Sequence, residues 1–102
     1  MNAMTVYLAG KIDGDPGYRQ KFTEAARELE RIGYTVLSPA ILPSEGFSRA
    51  AYMHISRAMQ DACDAICLLP DWESSLGAIA EKSWAEACGQ MVIFFEDRAE
   101  WE

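Results

Sequence analysis

Four short apolar runs punctuate the chain, and amphipathic stretches separate them. Thr5-Val6-Tyr7-Leu8-Ala9 is made of strand-forming residues and stops at Gly10, which reads as a first strand. Tyr34-Thr35-Val36-Leu37 reads as a second. Ala65-Ile66-Cys67-Leu68-Leu69 is apolar throughout and ends at Pro70, the pattern of a central parallel strand covered on both faces. Met91-Val92-Ile93-Phe94-Phe95 is the fourth.

Between these runs apolar residues recur at helical spacing. Phe22, Ala25, Ala26, Leu29 and Ile32 form one stripe, with Asp15 as N-cap, Pro16 as first helical residue and Gly33 as the stop. Tyr52, Ile55, Met59 and Ala62 form a second, behind Ser48 as N-cap. A stripe of that kind belongs to a core more often than to a ligand box. A third helix opens at Ser75 and runs toward Gly89, with Trp84 and Cys88 turned inward. Glu96 to Glu102 is a polar tail carrying Trp101.

Strands alternating with helices predict an α/β fold, a three-layer sandwich with a parallel sheet and helices on both faces. Right-handed crossovers limit the strand order, and 2-1-3-4 is the order expected, with strands one and three side by side at the switch point. Residues 4–102 read as one domain, and Met1-Asn2-Ala3 ahead of Met4 as a cloning remnant.

Composition narrows the function. Half of the 102 residues are hydrophobic, which excludes a disordered chain. No apolar run approaches the ~20 residues that span a bilayer, and the start lacks a signal-peptide pattern, so a cytoplasmic protein without a membrane partner is expected. The net charge of −7 and pI near 4.6 disfavour a nucleic-acid polymer as partner. They leave room for one small phosphorylated ligand held by backbone amides. Cys63, Cys67 and Cys88 are odd in number and form no C-x-x-C, and His54 is the only histidine. No metal site is expected from them; buried free thiols in a reducing compartment are.

The stretch from Leu68 to Glu81 carries the chemistry. An apolar strand ends at Pro70, a polar turn follows, and a helix opens on Ser75-Leu76-Gly77-Ala78. Glu81 lies four residues beyond Gly77 on the same helix face. Side chains lean toward a helix's N-terminus, so Glu81 leans over Gly77 toward the crevice where open α/β sheets bind ligands. Spacing alone leaves two readings open, this one and an ordinary solvated glutamate.

With strands one and three adjacent, two loops meet. One holds Tyr7, Gly10, Lys11, Ile12 and Gly14, and the other Asp71, Trp72, Ser75 and Gly77 below Glu81. The loop from Ser38 to Phe47, fixed by Pro39 and Pro43, is long enough to cover something. A carboxylate and a phenol beside helix N-terminal amides suit attack on an anomeric carbon, with Glu81 as nucleophile, Tyr7 as its orienter and Ser75 at a phosphate or sugar hydroxyl.

Three blocks resemble the nucleoside 2-deoxyribosyltransferase-like superfamily, and within it the often phage-associated DUF4406 branch. They are Val6-Tyr7-Leu8-Ala9-Gly10-Lys11-Ile12, the stretch from Cys63 to Ala78, and Glu81 with its Ala-rich helix. The resemblance implies a flavodoxin-like sheet, Glu81 as nucleophile on C1′ of a deoxyribose, and Tyr7 positioning it. The residue six before the nucleophile is typically aspartate in the transferases and a phosphate-binding serine in the related 2′-deoxynucleoside 5′-phosphate hydrolases. Here it is Ser75, which implies a nucleoside monophosphate and hydrolysis. Lys11 falls where those hydrolases carry another phosphate-binding serine.

Ser56 occupies the place of the aspartate thought to protonate the departing base; His54 and Asp71 do not match that position. The resemblance also implies a homodimer or higher homo-oligomer, whose neighbour completes the site, and chemistry that needs no cofactor and no metal. Two other readings stand beside the enzyme. One is a nucleotide-binding module without turnover; the other is an interaction protein that presents Trp72 and the proline loop.

Overall fold

The computed structural model describes residues 4–102; the reading of residues 1–3 as a cloning remnant lies outside them. Strands β1 (Thr5–Ala9), β2 (Thr35–Leu37), β3 (Ala65–Leu68) and β4 (Met91–Phe94) form one parallel sheet in the order β2-β1-β3-β4. This is the expected α/β architecture and strand order. Tyr7 pairs with Ile66 across β1 and β3, and Leu68 pairs with Phe94.

Strand parity decides which side chains meet which helix. Val6 and Leu8 face the layer of α1 (Tyr18–Arg31), where Phe22, Ala25 and Leu29 pack on them. Tyr7 and Ala9 face the opposite layer, with Ile66, Leu68 and the Ala78 and Ala85 of α3 (Leu76–Cys88). Met59 of α2 (Arg49–Asp61) joins this second core. The small alanines let α3 lie close to the sheet, and Tyr7 points at α3 because an odd position of β1 cannot point elsewhere.

Several local expectations shift. Asp15 does not cap α1: the N-cap is Gly17. The Asp15 carboxylate accepts from the Gly17 N–H at 2.9 Å, so an Asx turn holds the chain through Pro16 before the helix begins. In α2 the inward stripe continues from Met59 to Cys63, one turn on, and Ala62 is exposed. Gln60 is buried there instead. Cys88 is exposed at the last turn of α3, Cys63 is half-buried and Cys67 buried, so only Cys67 is fully buried. No helix among the described residues is long and apolar enough to cross a membrane.

The tail forms one helical turn, α4 (Arg98–Trp101). Trp101 stacks on Phe95 with ring centroids 5.4 Å apart and donates its indole N–H to the Phe95 C=O at 3.0 Å. The Tyr34 hydroxyl donates to the Trp101 C=O at 2.9 Å. Trp101 thus closes the α1-side core. Trp101→Ala is expected to cost about 3–5 kcal/mol, read as a large fall in the midpoint of a denaturant melt. A loss under about 1 kcal/mol would make that turn peripheral.

Candidate functional site

The carboxyl ends of β1 and β3 open into a cleft of about 680 Å³. Three segments wall it: the loop after β1, the proline loop with the first turns of α2, and the start of α3. At its floor the Tyr7 hydroxyl donates to Glu81 Oε2 at 2.6 Å, the length of a charge-assisted O–H···O⁻ bond.

Burial governs both groups. It pushes the Glu81 carboxyl up to about 7, against the Tyr7 hydrogen bond and the Arg57 guanidinium, which favour the anion. The Tyr7 phenol is held far above its ordinary value by burial, then by the Glu81 charge and hydrogen bond, against the Ser56 hydroxyl. Tyr7 therefore stays a donor at any working pH, while Glu81 divides between acid and anion near neutrality. The buried Gln60 amide donates to the Glu81 backbone C=O at 2.8 Å, which fixes the helix at that residue.

Ser75 caps α3, its Oγ accepting the Ala78 N–H at 3.1 Å. The hydroxyl proton remains for an outside acceptor, beside the Leu76 and Gly77 N–H groups that a helix start leaves unbonded. Gly77 lines the cleft here.

On the opposite wall Gly10, Lys11, Ile12 and Gly14 line the cleft. A Cβ on Gly10 would come within 3.0 Å of the Leu69 side chain, so only glycine lets the loop leave β1 against the end of β3. Gly14, at φ +80°, takes the left-handed conformation that glycine favours.

Two expected site residues stand apart. Asp71 does not line the cleft: it accepts the Lys11 N–H at 3.1 Å and pairs with Lys21, which also binds Asp15 and the Lys11 C=O. It is a strut for the loop. The Trp72 ring packs on Phe94 at 6.1 Å with the Lys82 ammonium above it, also outside the cleft. Tyr7, Gly10, Lys11, Ile12, Gly14, Ser75, Gly77 and Glu81 come together around it.

The proline loop and α2 supply wall residues that motif reading did not single out, Phe47, Arg49, Tyr52 and Met53, beside Ser56, which the resemblance had placed at the position of the proton-donating aspartate. Phe47 meets Tyr52 edge-on at 5.7 Å, and the Tyr52 hydroxyl donates to the Pro43 C=O at 2.8 Å. The loop's length and two prolines were the available signal. His54 is exposed and not part of the wall. Among the described residues no group of three or more His, Cys, Asp or Glu is placed to hold a metal ion.

The family model described as "Domain of unknown function (DUF4406)" matches residues 4–94. The chain belongs to the DUF4406 family. No curated protein matches it. Among solved structures it is similar to a 2-desoxiribosyltransferase from Leishmania mexicana, with a TM-score of 0.69 and 22% identity over 88% of this chain. The match covers 62% of that protein's length. The two share a deoxyribosyltransferase-like α/β fold.

The Glu81 environment sets a sign for stability against pH. Its folded value near 7 lies above the ordinary 4.5. The proton is therefore kept in the folded state over a range where the unfolded chain releases it. The associated stability is complete below the ordinary value and is lost as pH rises through the folded one. Glu81→Gln carries no such proton. Its stability relative to the parent is expected to improve between pH 5 and pH 8 by on the order of 2–3 kcal/mol, read from thermal melts. A difference that stays flat with pH would contradict the burial of this carboxyl.

Proposed function

We propose that the DUF4406 chain cleaves or transfers the N-glycosidic bond of a small nucleoside or nucleotide, through a glycosyl ester on Glu81. The Tyr7–Glu81 pair, a buried phenol against a half-buried carboxyl at the floor of an open cleft, carries this reading. The Glu81 carboxylate attacks the anomeric carbon, the C1′–N bond breaks, and the base leaves with its bonding electrons. Water, or a ring nitrogen of a second base, then attacks the same carbon and frees the carboxylate. Tyr7 holds the attacking oxygen in line, and its own proton is too firmly bound to be lost.

Ser75 and the open amides of α3 suit a 5′-phosphate, with Lys11 on the facing wall. That arrangement favours a deoxynucleoside monophosphate, and the resemblance of Ser75 to the serine of the 2′-deoxynucleoside 5′-phosphate hydrolases favours hydrolysis over transfer. The fold shared with the Leishmania protein supports a nucleoside-type ligand. Exposed apolar side chains at the rim, Leu76 at 77% and Phe47 at 54%, support a homodimer or higher homo-oligomer.

A second reading is a nucleotide-binding module without turnover. Ser56, a hydroxyl that does not give up its proton near neutrality, lines the cleft beside Tyr7 where a donor to the departing base is wanted. If the enzyme works without that donor, rates should depend steeply on how readily each base leaves.

Nucleosides and their monophosphates, incubated with the protein and chromatographed for free base, decide between these readings. Release is expected, falling roughly 10³-fold or more in Glu81→Gln and about 10²-fold in Tyr7→Phe through lost orientation. Undiminished release by Glu81→Gln would sink the nucleophile assignment. Thermal stabilisation by monophosphates with no base released by the parent would select the binding module.

A further inference from the structure

The proline loop walls the cleft with Pro39, Leu42, Pro43, Ser44 and Phe47, yet it has little structure of its own. A single 3₁₀ turn, Pro39–Ile41, opens it, capped by the Ser38 hydroxyl, which accepts the Ala40 N–H at 3.2 Å. Pro39 and Ala40 are buried, and every residue from Pro43 to Phe47 is exposed. Side chains of two helices hold the rest. Arg19, in the first turn of α1, reaches two of the loop's backbone carbonyls. Its Nη1 donates to the Ala40 C=O at 2.6 Å and its Nη2 to the Leu42 C=O at 3.0 Å. The planar fork of a guanidinium presents N–H groups side by side, which suits two acceptors close together. The guanidinium carbon also lies 5.2 Å from the ring centroid of Tyr18, itself a residue of the cleft. From α2, the Tyr52 hydroxyl donates to the Pro43 C=O at 2.8 Å.

The chain has 16 acidic residues against 9 basic ones, so carboxylate partners abound. Arg19 nevertheless makes no ion pair among the described residues. Its charge is spent on neutral backbone, where a charge-assisted bond is stronger than a neutral one. Lys21, two residues on and so on a different side of the helix, holds the Lys11 C=O of the loop after β1 at 2.7 Å. The start of α1 therefore anchors both loops that wall the cleft.

We propose that Arg19 is a positioning residue for ligand binding: by strapping the Ala40 and Leu42 carbonyls to α1, it keeps the proline loop standing as the wall that a nucleotide closes against. The proposal rests on the reading of the cleft as a nucleotide site. Arg19 does not itself line the cleft, so it acts only through the loop. The Tyr7–Glu81 pair belongs to β1 and α3 and keeps its geometry without Arg19. A loop already in place before the ligand arrives has less freedom to lose on binding.

The test measures binding of 2′-deoxyadenosine 5′-monophosphate to the full chain by titration calorimetry, beside hydrogen exchange of the loop amides. Arg19→Ala is expected to weaken binding about tenfold and to speed exchange between Ile41 and Phe47. In base release, KM should rise by a like factor while kcat stays within about twofold of the parent, a split that a merely structural role would not produce. Arg19 is exposed, so the thermal midpoint should stay close to the parent's. Arg19→Lys, with one nitrogen for two carbonyls, should fall between the two, and millimolar guanidinium ion should restore binding to Arg19→Ala. An unchanged affinity in Arg19→Ala overturns the proposal, whether or not the loop exchanges faster. Faster loop exchange in Arg19→Ala, when the parent binds no monophosphate, supports the strap and overturns the nucleotide reading of the cleft instead.

Discussion

A phenol donates to a carboxyl oxygen at 2.6 Å between the central strand and its covering helix, and the site depends on that bond. It needs Tyr7 on the α3 side of β1, which strand parity imposes. It needs α3 close to the sheet, which Ala78 and Ala85 permit. It needs Glu81 at a fixed height along α3, which the Gln60 amide secures from α2. Tyr7 is fully buried, so losing Glu81 takes away the acceptor of its hydroxyl proton. A carboxyl kept near neutrality in this way is a cost to the folded state at higher pH, and such costs are kept where a function uses them.

The cleft's second constraint is ionic. The chain carries a net charge of −7, yet the loop after β1 is shaped by a lysine. Lys21 reaches from α1 to Asp15, Asp71 and the Lys11 C=O. These groups are partly exposed, so each pair contributes little stability by itself. Together they fix the backbone that places Gly10, Lys11, Ile12 and Gly14 along the wall. Asp71 thus serves the site without lining it, as an anchor for the residues that do.

The sheet was legible because each strand is a short apolar run with a clear stop, and because β3 reads as buried on both faces. Glu81 was legible as a residue one turn past a glycine at a helix start, and Tyr7 by strand adjacency. The rest depended on tertiary contacts that leave little trace in local pattern. Asp71 and Trp72 lie in the same turn as Ser75, and sequence proximity could not tell a strut or a packed ring from a cleft wall. Gln60 is polar and falls beside the apolar stripe of α2, so periodicity assigned the inward place to Ala62. Trp101 sits in a helix of a single turn, too short for any period to show. Cys88 follows the face of α3 to its end, where the helix has already run past the core. The wall from Phe47 to Met53 was hinted at only by the length and prolines of its loop, whereas Ser56 stood out by its place in the family pattern.

The central claim is that Glu81 forms a bond to a sugar carbon. Fluorine on the sugar's C2 of a deoxynucleotide analogue withdraws electrons from the oxocarbenium-like transition states through which a glycosyl ester forms and breaks down, so an ester once formed is long-lived enough to detect. Mass spectrometry of the protein after brief exposure, followed by peptide mapping, reads it directly. The account predicts one added sugar phosphate per chain, located on Glu81 and absent in Glu81→Gln. Base release without any adduct, or an adduct on another residue, would contradict it.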